Sequence, residues 1–280
     1  GFTPTGNAAY VADIIPQNMR GEAMGYLGFF NSLGMAAGPA IGSQLMLWLD
    51  FGYSGLFYSS IAMSVAAFVV LLGMKETLVD RHRFSWKFLK VKWEDIFEPR
   101  VARPFVVLLF TAFSFGVILT VAPDMAGHVG MENKGTFFSF FTLSSLLSRL
   151  SAGKLSDKKG REIVLQVSSL LLVVALIVIG IAENRTVFLT GAVLYGFALG
   201  LNSPTIYAWA IDLSAEKHKG RGIGMVFMGL EIAIGLGALV SGYLFADNFE
   251  RIGWPFFLSS GLCFVAFIYV TILRKNLKAG

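Results

Sequence analysis

Glu231 is a carboxylate in an apolar setting, held roughly ten residues inside the run of about 221–246. At that depth an acid is costly unless it is paired, protonated or in contact with water. Such a residue carries a proton or contacts a cation; the structural alternative is a protonated Glu hydrogen-bonded to a neighbouring helix. A second group of charges is Gly153-Lys154-Leu155-Ser156-Asp157-Lys158-Lys159-Gly160-Arg161-Glu162, a tight turn between apolar runs that end near Ala152 and begin near Ile163. Six of these ten residues are charged. Asp157, at a helix end, can accept hydrogen bonds from a neighbouring helix N-terminus and favour its positive dipole end. Arg149, upstream on the same helix, and Arg161 can pair with it. Contacts of this kind hold one conformation and release in another. The plainer reading is that the basic residues only set topology.

Nothing else reads as reaction chemistry. His82, His128 and His218 fall in loops without metal-ligand spacing, and the single cysteine, Cys263, reads as a packing residue within an apolar run. The sequence holds no Gly-x-Ser-x-Gly, His-Glu-x-x-His or phosphate loop. No enzyme activity, metal or cofactor is expected.

Composition defines the elements that must position these residues. The chain is 55% hydrophobic and 15% charged, where soluble domains carry about 25% charged residues. A membrane helix needs roughly 20 mostly apolar residues. Nine candidates can be drawn: a short one from Gly1 to about Ile15, then about 22–47, 54–74, 104–127, 136–153, 163–182, 187–211, 221–246 and 254–273. With alternate loops given to opposite sides, 20 of the 23 lysines and arginines fall on one side and 3 on the other. This is the positive-inside pattern, and it puts residues 153–162 and the C-terminus in the cytoplasm. The net charge of +5 is then a topology signal, and no nucleic-acid partner is expected.

The loop of about 75–103 sets Phe84, Trp86, Phe88, Leu89, Trp93, Ile96 and Phe97 among basic residues. That composition suits a helix lying at the membrane interface; a solvated linker is the alternative. The loop divides a front part, 1–74, with three spans, from a back part, 104–280, with six. The two parts are related. Pro4 aligns with Pro204, Asp13 with Asp212, Gly25 with Gly224 and Gly42 with Gly242, an offset of 199 to 200 residues. Asn31 falls opposite Glu231. Extending the repeat backwards predicts three more spans, about 95 residues, ahead of Gly1.

Gly153, Asp157, Lys158, Gly160 and Arg161 fit the pattern Gly-x-x-x-Asp-Arg/Lys-x-Gly-Arg-Arg/Lys, while Glu162 departs from its last basic position. Together with two six-span halves and a basic central loop, this resembles the major facilitator superfamily. The resemblance implies an all-α membrane fold of twelve helices, nine of them in this chain. It gives Asp157 the role of a cytoplasmic latch that favours an outward-facing state, in a loop with Gly153, Lys158, Gly160 and Arg161, and the charge pairing above adds Arg149 to that latch. Gly25, Gly34, Gly38, Pro39 and Gly42, followed by Ser43, resemble the family's antiporter motif in its fifth helix. Independently of any family, Gly34, Gly38 and Gly42 lie four apart on one face and admit a close neighbour, and Pro39 can kink the helix. The symmetric set Gly224, Ala233, Gly237 and Ser241 is a degenerate copy.

The resemblance implies a multi-pass secondary transporter of the plasma membrane, a bacterial cytoplasmic membrane, acting as a monomer. Its partners would be the lipid bilayer, protons and a small-molecule substrate, and a proton gradient would stand in place of a cofactor. The antiporter motif points to efflux. Such proteins bind substrate near the midplane between repeats, so Glu231, Asn31, Asn202, Tyr207 and Ser114 are the candidate proton or substrate residues. Around Pro204, the side chains of Asn202, Ser203, Thr205 and Tyr207 either line a cavity or pack helices. Ser114, Phe115, Phe137, Phe138, Phe141 and Thr142 add aromatic and hydroxyl surface, and the 26 phenylalanines hint at an amphipathic substrate. Two alternatives stay open: a proton-coupled importer of a sugar or metabolite, and a receptor or scaffold built on a transporter fold.

Overall fold

The computed structural model describes residues 52–74, 97–214, 219–246 and 248–279, with positions 10, 30, 31, 33, 34, 37, 38, 41, 42 and 44–46. The chain forms two compact units, Gly1–Lys90 and Val91–Gly280. Every long element is a helix, and the described residues contain no strand.

The first unit contains α1 (Gly52–Leu72), apolar along its whole length with its large side chains exposed. A helix apolar on all sides belongs in a membrane or a large core, not on a soluble surface. A Cβ on Gly42 would meet Leu56 of α1 at 3.3 Å, whereas Gly34 and Gly38 face open space. Gly25 and Pro39 lie outside the described residues, as do residues 75–96 of the 75–103 loop expected to hold an interfacial helix.

The second unit is a bundle of six helices: α2 (Ala102–His128), α3 (Thr136–Lys159), α4 (Arg161–Gly180), α5 (Arg185–Leu213), α6 (Lys219–Phe245) and α7 (Trp254–Ala279). α3 packs on α5, α2 on α6, and α4 on both α5 and α7. Among the described residues six helices are long and apolar enough to cross a membrane: α1, α2, α4, α5, α6 and α7. The sixth helix of this bundle, α3, has 24 residues, about 36 Å at 1.5 Å each. Serines lower its hydropathy, but several of their hydroxyls are bonded within α3 or to α5. Ser148 donates to the Ser145 carbonyl at 3.0 Å, Ser151 to that of Ser148 at 2.9 Å, and Ser144 to Val193 of α5 at 2.7 Å.

Two of the expected boundaries change. α3 continues to Lys159 instead of stopping at 153, and α7 runs on to Ala279. An apolar run ends where water begins, but a helix does not have to. Lysines in the last turn of α3 complement the negative dipole end, so the helix continues into the aqueous layer. Gly153 is consequently an exposed mid-helix residue with open space around it, not one side of the turn.

The core is layered along the helix axes. One cluster gathers Phe137, Phe188, Tyr195, Leu176 and Phe256 at the end away from the α3–α4 turn. A second gathers Leu165, Ile206, Trp209, Met225 and Val270 at the turn end. Between them lies a band of buried polar pairs. Ser114 and Tyr195 share a hydrogen bond of 2.8 Å, and Asn202 Nδ2 donates to Ser168 Oγ at 3.0 Å. Each contributes roughly 1 kcal/mol when made and costs more when one partner is removed. They fix the register of α2 against α5 and of α5 against α4.

α2 and α6 touch backbone to backbone. A Cβ on Gly116 would run into the Ile234 carbonyl, and one on Gly237 into the Phe113 carbonyl. Ala233, Gly237 and Ser241, all buried and spaced by four, form the α6 side of this seam. Three of the four residues of the degenerate copy thus pack within this unit, and Gly224 stays exposed. Cys263 is fully buried in the outer core cluster, as its apolar setting predicts.

Candidate functional site

The α3–α4 turn is a single residue. Gly160 has φ 93° and ψ 149°, a left-handed conformation that side chains resist, and its N–H donates to the Ser156 carbonyl at 3.0 Å. This brings Arg161, the first residue of α4, back over the last turn of α3. Its Nη1 pairs with Asp157 Oδ1 at 2.6 Å, and its Nε donates to Asp212 Oδ2 at 2.9 Å. Nη1 also donates to Ser156 Oγ. One guanidinium therefore ties the end of α3 to the end of α5. Glu162, which departs from the sequence pattern, lies in the first turn of α4, where a negative charge suits the helix dipole. Lys158 is exposed in the last turn of α3.

Asp212 was not among the candidate residues. Its signal was the repeat, which keeps an acid at 13 and 212. Arg149 lies eight residues before Asp157 on α3, about 12 Å along the axis, and its charge acts on Tyr207 of α5.

The two carboxylates that flank Arg161 are each more than half exposed, so each pair contributes at most about 1 kcal/mol. Sharing one cation makes them interdependent. Asp157→Asn and Asp212→Asn are each expected to lower thermal stability slightly. Arg161→Gln should match the Asp157→Asn/Asp212→Asn pair and add nothing on top of it. Full additivity of all three changes would exclude the shared clamp.

A second cluster lies within the span region. Tyr207 stacks on Phe227 of α6 with ring centroids 5.3 Å apart, and the charges of both Arg149 and Glu231 act on its hydroxyl. Glu231 is one turn beyond Phe227. It stands about 18 Å from the start of α6 and about 21 Å from its end, and it is exposed on the surface of its unit. The α2 seam occupies the other side of α6, so Glu231 points away from the closest packing of the bundle. Asn31 is helical and exposed in the first unit.

The other candidates separate from this cluster. Ser114 and Asn202 are buried, with protein partners on α5 and α4 respectively, so Asn202 packs helices. Among the aromatic residues, Phe115 and Phe141 lie 6.1 Å apart, and Phe141 and Tyr195 5.7 Å apart, along the α2–α3–α5 contact. The described residues contain no cluster of His, Cys, Asp and Glu able to hold a metal.

Long apolar helices, buried hydroxyls bonded within the bundle and a mid-depth group of charges define a multi-pass helical membrane protein. The Major Facilitator Superfamily profile matches twice, over residues 1–134 and 105–279. The chain belongs to the major facilitator superfamily, a family of membrane transporters and not of enzymes. It is 25% identical over 185 residues to Multidrug resistance protein 2 of Bacillus subtilis (strain 168), covering 62% of this chain and 44% of the relative. It is 24% identical over 178 residues to Quinolone resistance protein NorA of Staphylococcus aureus (strain Mu50 / ATCC 700699), covering 61% and 45%. The chain spans less than half the length of these curated relatives.

Proposed function

We propose that the protein carrying this chain is a secondary active transporter that expels amphipathic small molecules, quinolones among them, in exchange for protons. The observation that carries the proposal is Glu231, a mid-depth carboxylate on an open face of its unit, one turn from Phe227, on which Tyr207 stacks. A carboxylate in that position changes charge when a proton arrives, and the charge it presents to a substrate changes with it. The names of the two relatives support a drug-like substrate. Asn31, Tyr207, Asn202 and Ser114 remain the residues proposed to line or brace the site.

Alternating access supplies the cycle, with Glu231 loading a proton on one side of the membrane and releasing it on the other. The Asp157–Arg161–Asp212 clamp serves as a latch, made in one state and released in the other, with Gly153, Lys158 and Gly160 completing its loop. The lysine and arginine distribution supports a cytoplasmic hinge and C-terminus in a bacterial plasma membrane. The working unit is a monomer, and the proton gradient is the energy source, with no cofactor.

Direction of transport tests the proposal. Everted vesicles containing the intact protein, made acidic inside, should accumulate a quinolone, and a protonophore should abolish the accumulation. Proton-driven depletion of internal substrate would instead identify an importer. Binding with no flux in either direction would identify a receptor.

A further inference from the structure

We propose that the groove between α3 and α4 at the turn end is a binding site for an anionic diacyl phospholipid, with one acyl chain in the groove and the headgroup phosphate on Lys159. The groove has a volume of about 290 Å³ and is lined by Leu155, Lys159, Ile163, Val164, Val167 and Leu201. Its shape follows from the fold. α3 and α4 are joined through Gly160 alone, and both lean on α5, so Leu201 of α5 forms the floor between them.

Five of the six lining residues are aliphatic, and Leu155 and Val167 are exposed. In a membrane protein such a surface faces lipid chains. Lys159 supplies the selectivity. It is the last residue of α3, exposed, and forms no ion pair with a described residue. Its stem lines the groove, which leaves the ammonium free to extend to headgroup level. Val167 lies six residues into α4, about 9 Å deeper along the axis. A cation at the headgroup layer above an apolar slot that descends toward the bilayer centre complements a phosphate joined to an acyl chain. Basic pockets between spanning helices recognise anionic headgroups in this way.

The site requires only membrane residence and does not depend on transport, so the two proposals fail separately. The full chain, purified in mild detergent, is titrated with phosphatidylglycerol and with phosphatidylcholine, and the bound lipid is counted by native mass spectrometry. Phosphatidylglycerol should be retained in preference. Lys159→Gln should lower its retention about fivefold, the share of one surface cation, and lower that of phosphatidylcholine, whose phosphate is offset by its choline cation, by less. Lys159→Arg should restore it. Val167→Trp, which fills the groove from its exposed side, should lower retention of both lipids, with helicity by circular dichroism confirming that the variant folds. Equal retention of the two lipids overturns the proposal, as does phosphatidylglycerol retention that neither variant changes. Retention of a single-chain fatty acid as strong as that of phosphatidylglycerol overturns the diacyl assignment.

Discussion

Glu231→Gln is expected to abolish transport against a gradient while leaving the protein inserted and able to equilibrate substrate downhill. Gln keeps the size of the side chain and resembles protonated Glu, but it has no proton to release. If Glu231 couples the two fluxes, the variant is held in one proton-loaded condition. Net transport should then cease to respond to an imposed pH gradient. The substitution is also structurally mild. Glu231 is exposed on its unit and forms no hydrogen bond or ion pair with a described residue, and surface changes away from special features usually stay within about 0.5 kcal/mol. Loss of transport with normal expression and thermal stability would therefore report on coupling, not folding. Uphill quinolone transport at the wild-type rate in this variant would exclude Glu231 as the proton carrier.

The largest effect on the fold is expected from Gly116→Leu. The α2–α6 seam leaves no room for a side chain there. A Cβ runs into the Ile234 carbonyl and lies 2.9 Å from the Ala238 nitrogen. Those neighbours are backbone, so they cannot swing away as the tip of a flexible side chain would. Overpacking typically costs about 1–3 kcal/mol and sometimes more, and a seam that must separate as a whole belongs at the upper end. Gly116→Ala should already be destabilising. Gly224→Ala is the control: the site is exposed with nothing within 4 Å, and helix propensity favours Ala by about 1 kcal/mol. Thermal inactivation followed by size-exclusion chromatography should give Gly224→Ala a midpoint at or above wild type and Gly116→Leu the lowest of the set. Equal midpoints for Gly116→Leu and Gly224→Ala would show that α2 and α6 do not meet at this seam.

The spanning helices of the second unit were legible from apolar run length, and most of their ends fall within two residues of the expectation. The exceptions, α3 and α7, end in charged turns that transfer hydrophobicity does not detect but hydrogen bonding and the helix dipole sustain. The turn was legible in part. The spacing of Asp157, Gly160 and Arg161 showed that the chain reverses there and that an ion pair was available. It did not show that Gly160 alone makes the reversal or that Arg161 spends its second contact on Asp212, 51 residues later.

The sequence by itself determined that this is a multi-pass helical protein of repeated halves, with one acid at mid-depth and one charged hinge. Those features are local, set by run length, by spacing and by the cost of a carboxylate in apolar surroundings. Tertiary structure alone decided which faces those residues occupy. It turned Ser114 and Asn202 inward to hydroxyl partners on other helices. It also used the degenerate small-residue face of α6 for close packing, which leaves Glu231 on the open side. A helix carries its residues on every face, and only the neighbours packed against it decide which face is buried.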